Sequence, residues 1–340
     1  MSTPRVLLRL PNWLGDAVMA TPVVEALARA HGAGLTVVGP SRWLELLDPV
    51  LGQAPLRVPL AKGGLPARHA RGHAAALLLD GSTRSAWGAW LAGVGSVACL
   101  STGGRGLLAS LALRPARLRG AGRPEPRPFG AVAVELLARL PQGLGAELPG
   151  DPAPRLPVPA ASAQRARELC DSLGLGEAFV LVNAGARPGS AKGLPPEVLS
   201  AVLSALASRG LGALVVVGPG EAARLEGVEL AGARSLGEPA PDLGLLAALG
   251  RAARLTVTAD GGGRHLVRAA GGRTLTLFGP TDPRHSAMPG PREEVLRISV
   301  PCGPCHREIC PLPGDGGRLA CFLGLAEQVG PALEWALAGA

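Results

Sequence analysis

The sequence predicts an α/β protein of two domains, and two observations predict it. Short apolar runs alternate with helix-like segments in both halves of the 340 residues, and a βαβα rhythm of this kind builds parallel sheets covered by helices on both faces. Prolines at 149, 152, 154, 157 and 159 interrupt that rhythm with a stiff connection. The domains are therefore expected as 1–155 and 156–340. With 47% hydrophobic and 18% charged residues, the chain can bury a core in each.

In the first half, strands are expected at Val6–Leu10, Leu35–Gly39, Ala75–Leu79 and Ser96–Leu100, with helices at Ala17–Ala30, Trp43–Leu51 and Arg84–Ala92. From Arg114 to Pro128 the pattern breaks into a Pro/Arg-rich stretch carrying Arg114, Arg117, Arg119, Arg123 and Arg127. That stretch reads as a solvated loop or as a basic patch facing an acidic substrate. In the second half, strands are expected at Phe179–Asn183, Ala213–Val217, Leu255–Thr258 and Thr274–Phe278, and helices at Pro195–Ser208, Asp242–Leu249 and Gly262–Ala270. Paired α/β domains leave a cleft between them, the usual place for a two-substrate enzyme.

The formal net charge of +8 favours anions such as phosphates, nucleotides or an acidic membrane surface. Nucleic acid is not expected as a partner, since aromatic residues make up 3% of the chain and no recognition module is present. Pro11 breaks the first apolar run too early for a signal peptide, and no long charge-free apolar segment follows. A cytoplasmic protein, peripheral at most to the inner face of the membrane, is the expectation. All but two of the 34 cations are arginines. Lys62 and Lys192 are therefore unusual choices.

The stretch Arg9-Leu10-Pro11-Asn12-Trp13-Leu14-Gly15-Asp16 joins a strand to a helix by a tight turn. Asp16 thus stands at the carboxyl end of a strand, where open α/β sheets keep their ligand crevice; on local grounds it reads equally as a helix N-cap. In the second half, Asp260-Gly261-Gly262-Gly263-Arg264-His265 stands between a strand and a helix. Glycines there let backbone N–H groups approach a phosphate, and the helix N-terminus adds positive potential. His265 is a further donor, and Phe278-Gly279-Pro280-Thr281-Asp282-Pro283 forms a second loop on the same edge. Asn183 to Lys192 leaves the first strand of this half as a run of small residues ending in the rare lysine, a pattern that suits an anion. Gly218-Pro219-Gly220-Glu221 mimics a dinucleotide fingerprint, but Pro219 is awkward there and the acidic partner would have to be Glu238, beside Pro239.

Together these motifs resemble glycosyltransferase family 9, and within it the lipopolysaccharide heptosyltransferase II branch. Pro11 to Met19 followed by Thr21-Pro22 looks like the opening of that family. Asp260, His265 and Gly279 keep the spacing of its Asp-Ser-Gly-x-x-His and Gly-Pro-Thr/Ser-x-Pro motifs. Gly185, Ala186, Gly189, Ala191, Lys192 and Pro195 match its lysine segment. The chain departs from the family pattern at Gly261 for Ser, Arg264 for Met and Leu194 for Trp. The resemblance implies a GT-B fold, two Rossmann-like doubly wound domains facing across a cleft. It implies inverting transfer of heptose from ADP-heptose to the inner core of lipopolysaccharide, with a lipid A–core acceptor at the inner membrane surface. Asp16 would be the general base, its carboxylate favoured by the helix N-terminus. Lys192 and the amides of Gly261, Gly262 and Gly263 would stabilise the leaving diphosphate. Asp260 and His265 would bind the donor and Glu221 its ribose. Asn12, Trp13, Gly15, Arg117 and Arg119 would meet the acceptor. No cofactor is expected for catalysis. A non-catalytic sugar-nucleotide-binding relative, and an NAD-dependent oxidoreductase resting on Gly218 and Gly220, are the alternatives.

Cys302, Cys305, Cys310 and Cys321 gather near the end of the chain. Reduced structural thiols are expected in a cytoplasmic protein, with structural zinc as the second reading of the same spacing.

Overall fold

All eight expected strands form, and four more that the apolar pattern did not mark complete two sheets. The computed structural model describes residues 4–61, 63–101, 107–113, 126–148, 150, 152–176, 178–187, 189–286, 292–312 and 319–338. It divides into two compact units, Met1–Leu156 with Arg284–Met288 and Pro157–Pro283 with Pro289–Ala340.

The strands of the first unit are β1 (Val6–Arg9), β2 (Leu35–Gly39), β3 (Leu56–Pro59), β4 (Ala75–Leu78), β5 (Ser96–Leu100) and β6 (Leu111–Leu113). Those of the second are β7 (Val180–Asn183), β8 (Ala213–Val216), β9 (Arg234–Leu236), β10 (Leu255–Ala259), β11 (Thr274–Phe278) and β12 (Glu293–Arg297). All pairings are parallel, in the orders β3-β2-β1-β4-β5-β6 and β12-β11-β10-β7-β8-β9. Numbered within its own unit, each sheet has the doubly wound order 3-2-1-4-5-6, whose chain reverses direction between strands 1 and 4. The reversal falls between β1 and β4, where Val6 pairs both Leu35 and Ala75, and between β7 and β10, where Asn183 pairs Thr258. Ligand crevices open at that point.

Interior strands such as β1, β4, β7 and β10 are buried along their whole length, as strands covered on both faces must be. Two helices expected as single pieces are divided, each by a proline. The first runs as Leu14–Met19 and Thr21–His31. Pro22 has no N–H to give the Val18 carbonyl, and the Thr21 hydroxyl donates to that oxygen instead at 2.9 Å. The second runs as Ser41–Leu46 and Asp48–Leu51, parted before Pro49. Among the described residues no helix is long and apolar enough to cross a membrane.

Candidate active site

In the second unit the reversal point is built from β7 and β10 and the loops that leave them. Asp260 follows β10 and is buried. Its Oδ2 accepts from the Lys192 ammonium at 3.2 Å and from the Thr281 hydroxyl at 2.7 Å, while Oδ1 accepts from Arg264 Nε at 3.2 Å. Burial alone would push this carboxyl up, but Lys192 and Arg264, with the Thr281 hydrogen bond, outweigh it and bring it down to about 2. Asp260 is therefore an anion at neutral pH. Lys192 remains 40% exposed, so its charge is open to solvent or a ligand.

The glycines serve different purposes. Gly261 is the N-cap of the helix Gly262–Ala269. A Cβ there would sit 3.6 Å from the Gly185 carbonyl, an ordinary contact, so the family's serine would fit. At Gly263 a Cβ would lie 2.3 Å from Asn183 Nδ2, so a larger residue there would force the buried Asn183 amide to move. The 185–192 loop is held from below. Glu221, whose side chain is 1% exposed, accepts from Ala186 N–H at 3.1 Å, Gly218 N–H at 3.2 Å and Arg224 Nε at 2.7 Å. A Cβ at Gly185 or Gly218 would strike that carboxylate, at 2.5 and 2.6 Å. Gly218 thus makes room for Glu221, and Glu238 accepts from Gly220 N–H at 2.8 Å. Arg224 also donates to the carbonyls of Arg187 and Ser190, fixing the loop that carries Lys192.

Arg264, the family departure, is fully buried over the Phe278 ring, 5.0 Å from its centre, and pairs with Glu293 on β12 as well as with Asp260. The next residue, His265, is buried; burial first, then the Arg264 charge, pushes its imidazole well below the usual range, so it is neutral. Its Nδ1 has no hydrogen-bond partner among the described residues. Arg224 and Glu293 were not singled out by sequence reading; Arg264 stood out only as a departure from the family pattern, and Thr281 only as part of the second loop on the same edge.

In the first unit Trp13 is the N-cap of the helix Leu14–Met19, and Asp16 is the third helical residue. The N-cap reading of Asp16 is therefore corrected. Its carboxylate lies in the first turn, where the unpaired N–H groups favour an anion. Asp16 and Gly15 are half-buried and Trp13 is exposed. Beneath this turn, fully buried Arg9 donates to the Leu10 and Gly63 carbonyls, each at 3.1 Å, and to Asn12 Oδ1 at 3.2 Å. It also pairs with Asp80 across 3.4 Å. Asn12 is thus tied into the scaffold of the loop that presents Asp16. Arg117 and Arg119 lie outside the described residues.

Cys302, Cys305 and Cys310 lie near enough to buried Cys321 that they join burial in pushing its thiol up to about 11. Among the described residues no three His, Cys, Asp or Glu side chains are placed to hold a metal ion. The segment is tied to the site by its backbone. His306 N–H donates to the Pro280 carbonyl at 2.8 Å, and Glu308 accepts from Ala191 N–H at 2.6 Å.

Two doubly wound parallel sheets, one with a glycine-rich helix start and a lysine at its reversal point and the other with a carboxylate in a first helical turn, have the GT-B architecture. Residues 69–314 match the sequence pattern of glycosyltransferase family 9 (heptosyltransferase), and the chain belongs to that family. Comparison with curated protein sequences finds no match. The fold is similar to that of Escherichia coli ADP-heptose lps heptosyltransferase II, with 18% identity, a TM-score of 0.70, and coverage of 98% of this chain and 99% of that one. It is equally similar to a family 9 glycosyl transferase from Veillonella parvula, with 19% identity, a TM-score of 0.70 and coverage of 100% and 99%. The E. coli heptosyltransferase WaaC, solved with ADP-2-deoxy-2-fluoro heptose, shares 21% identity at a TM-score of 0.62 over 97% and 99% of the two chains.

Proposed function

We propose that this glycosyltransferase moves a heptose from ADP-heptose to a sugar of the lipopolysaccharide inner core with inversion, as a cytoplasmic enzyme working at the inner face of the membrane. The observation that carries the reading is the Lys192–Asp260–Thr281 cluster, set beside the Gly261–Gly263 helix start. In the second unit, Lys192 and the first amides of the helix Gly262–Ala269 meet the diphosphate, and Asp260, held ionised, accepts from sugar hydroxyls. The nucleoside lies toward Glu221, with its ribose on the loops that Glu221 braces. In the first unit Asp16 takes the proton of the acceptor hydroxyl, and Asn12, Trp13, Gly15, Arg117 and Arg119 form the acceptor side. The acceptor oxygen bonds to the anomeric carbon as the bond to the β-phosphate oxygen breaks, and ADP leaves with that electron pair. Charge grows on the diphosphate as this happens, and fixed positive groups there lower the barrier most. No metal cofactor is required on this reading.

That WaaC was solved with an ADP-heptose analogue supports the donor assignment. The test is transfer from ADP-heptose to a heptose-bearing core acceptor by wild type and Asp16→Ala. Turnover is expected in the wild type, with a loss in the variant on the order of a hundredfold or more while ADP binding is kept. Tight ADP binding with no wild-type turnover would overturn the heptose assignment, and absence of ADP binding would overturn the donor. The cysteines are proposed as reduced structural thiols. One zinc per chain in the purified protein would overturn that and restore the metal reading of Cys302, Cys305, Cys310 and Cys321.

A further inference from the structure

The helix Thr83–Leu91 in the first unit has two unlike faces. Ser85, Ala86, Gly88 and Ala89 face inward. A Cβ on Gly88 would fall 1.8 Å from the Leu65 carbonyl, so that face is pressed onto the Leu65–Ala67 backbone and cannot turn. The opposite face shows Trp87, Trp90 and Leu91 at 50, 53 and 54% exposure. The two indole rings lie 5.3 Å apart, tilted by 38°. Exposed Arg84 shares this face, and the helix Ala67–Ala70 packed beside it adds exposed Arg68 and, just past its end, Arg71. Neither helix contains an acid.

The surrounding sequence repeats that bias. Between Pro49 and Pro124 the chain carries ten cations and a single acid, Asp80. Asp80 is buried against Arg9 and offers nothing to the surface. The tryptophan pair keeps about half of its surface open to solvent. Indoles settle at the headgroup level of a bilayer, where an apolar ring and a polar N–H are both satisfied. Arginines beside them add attraction to anionic lipid. A protein partner would need a shaped and acidic counterpart, whereas a bilayer needs only the rings and the charge found here.

We propose that Trp87, Trp90 and Leu91, flanked by Arg68, Arg71 and Arg84, form a docking face for an anionic lipid surface. The face inserts its rings at the headgroups and does not span. Its purpose rests on the reading of a lipid-linked acceptor, but the binding itself does not.

The test uses the full chain with vesicles of phosphatidylcholine alone or mixed equally with phosphatidylglycerol, read by flotation and by quenching of tryptophan fluorescence with brominated lipid. The wild type is expected to bind and be quenched only by the anionic vesicles. Trp87→Ser/Trp90→Ser is expected to lose affinity at least tenfold with its thermal unfolding unchanged, and Arg68→Gln/Arg84→Gln about fivefold per arginine at low salt. Turnover on a short water-soluble acceptor should be unchanged in both variants. Failure of the transferase reading would abolish that turnover in the wild type as well. Equal binding by the tryptophan variant would overturn the proposal, as would absence of wild-type binding to anionic vesicles. Competition by soluble glycerol phosphate would likewise overturn it, showing that the arginines read a free phosphate.

Discussion

The two sheets share one strand order, and each buries an arginine against an aspartate at its reversal point, yet the two pairs are built to opposite ends. Arg9 and Asp80 are closed on themselves. Both side chains are fully buried, and the remaining donors of Arg9 go to backbone carbonyls and Asn12. Burial pushes the Asp80 carboxyl up, more than Ser85 and Arg9 pull it down. Arg264 and Asp260 are open on one side. Asp260 has a second cation in Lys192, 40% exposed, and is held at about 2. A closed pair is scaffold, while a pair that ends in a reachable charge is a site.

The largest effect that would break this contrast is in the first unit. Arg9→Met leaves Asp80 buried without its cation and frees several carbonyls, and is expected to cost roughly 3–5 kcal/mol in denaturant titrations. A loss as small as that of a surface substitution would mean the pair is not closed. Next comes Lys192→Met, which should cost clearly less stability than Arg9→Met, because Arg264 and Thr281 still hold Asp260, but lower turnover by about 10²–10³. If instead it destabilised the fold as much and spared turnover, the second cluster would be scaffold like the first.

The smallest and sharpest test is acid titration of stability, because the two aspartates have opposite signs. Asp260 is depressed, so its contribution is complete above the ordinary carboxylate range and is lost as pH falls toward about 2. Asp80 is raised, so it burdens the fold at neutral pH, and the burden lifts as pH drops through its folded value. Asp260→Asn should therefore remove the acid-side loss of stability, and an unaltered profile would contradict the assignment.

The interior of both sheets was legible because strands covered on two faces read as unbroken apolar runs. The four strands missed, β3, β6, β9 and β12, are the four sheet edges. Edge strands carry exposed side chains, as with Leu56 on β3 and Arg234 and Ser235 on β9, so the apolar signal is lost where the geometry persists. The same division runs through the site. Lys192 stood out by rarity, and Asp260 by its place between a strand and a glycine run. Glu293 reaches Arg264 only because β12 pairs with β11, and Thr281 reaches Asp260 across 21 residues of chain. The loop bearing Thr281 was marked on the same edge without its bond to Asp260, and local pattern holds no trace of Glu293. Arg9 did leave a sign, a lone cation in the run Val6-Leu7-Leu8-Arg9-Leu10.

Glu221 under Gly185 and Gly218 has a consequence for anyone wishing to change what this enzyme accepts. Two loops that are distant in sequence share one carboxylate as their floor, and Arg224 ties that floor to the segment bearing the lysine. They behave as a single cartridge. Exchanging one loop for a relative's would set a foreign backbone on a native support, so, on the proposed donor-site reading, preference should be transplantable only when residues 185–192 and 218–224 travel together.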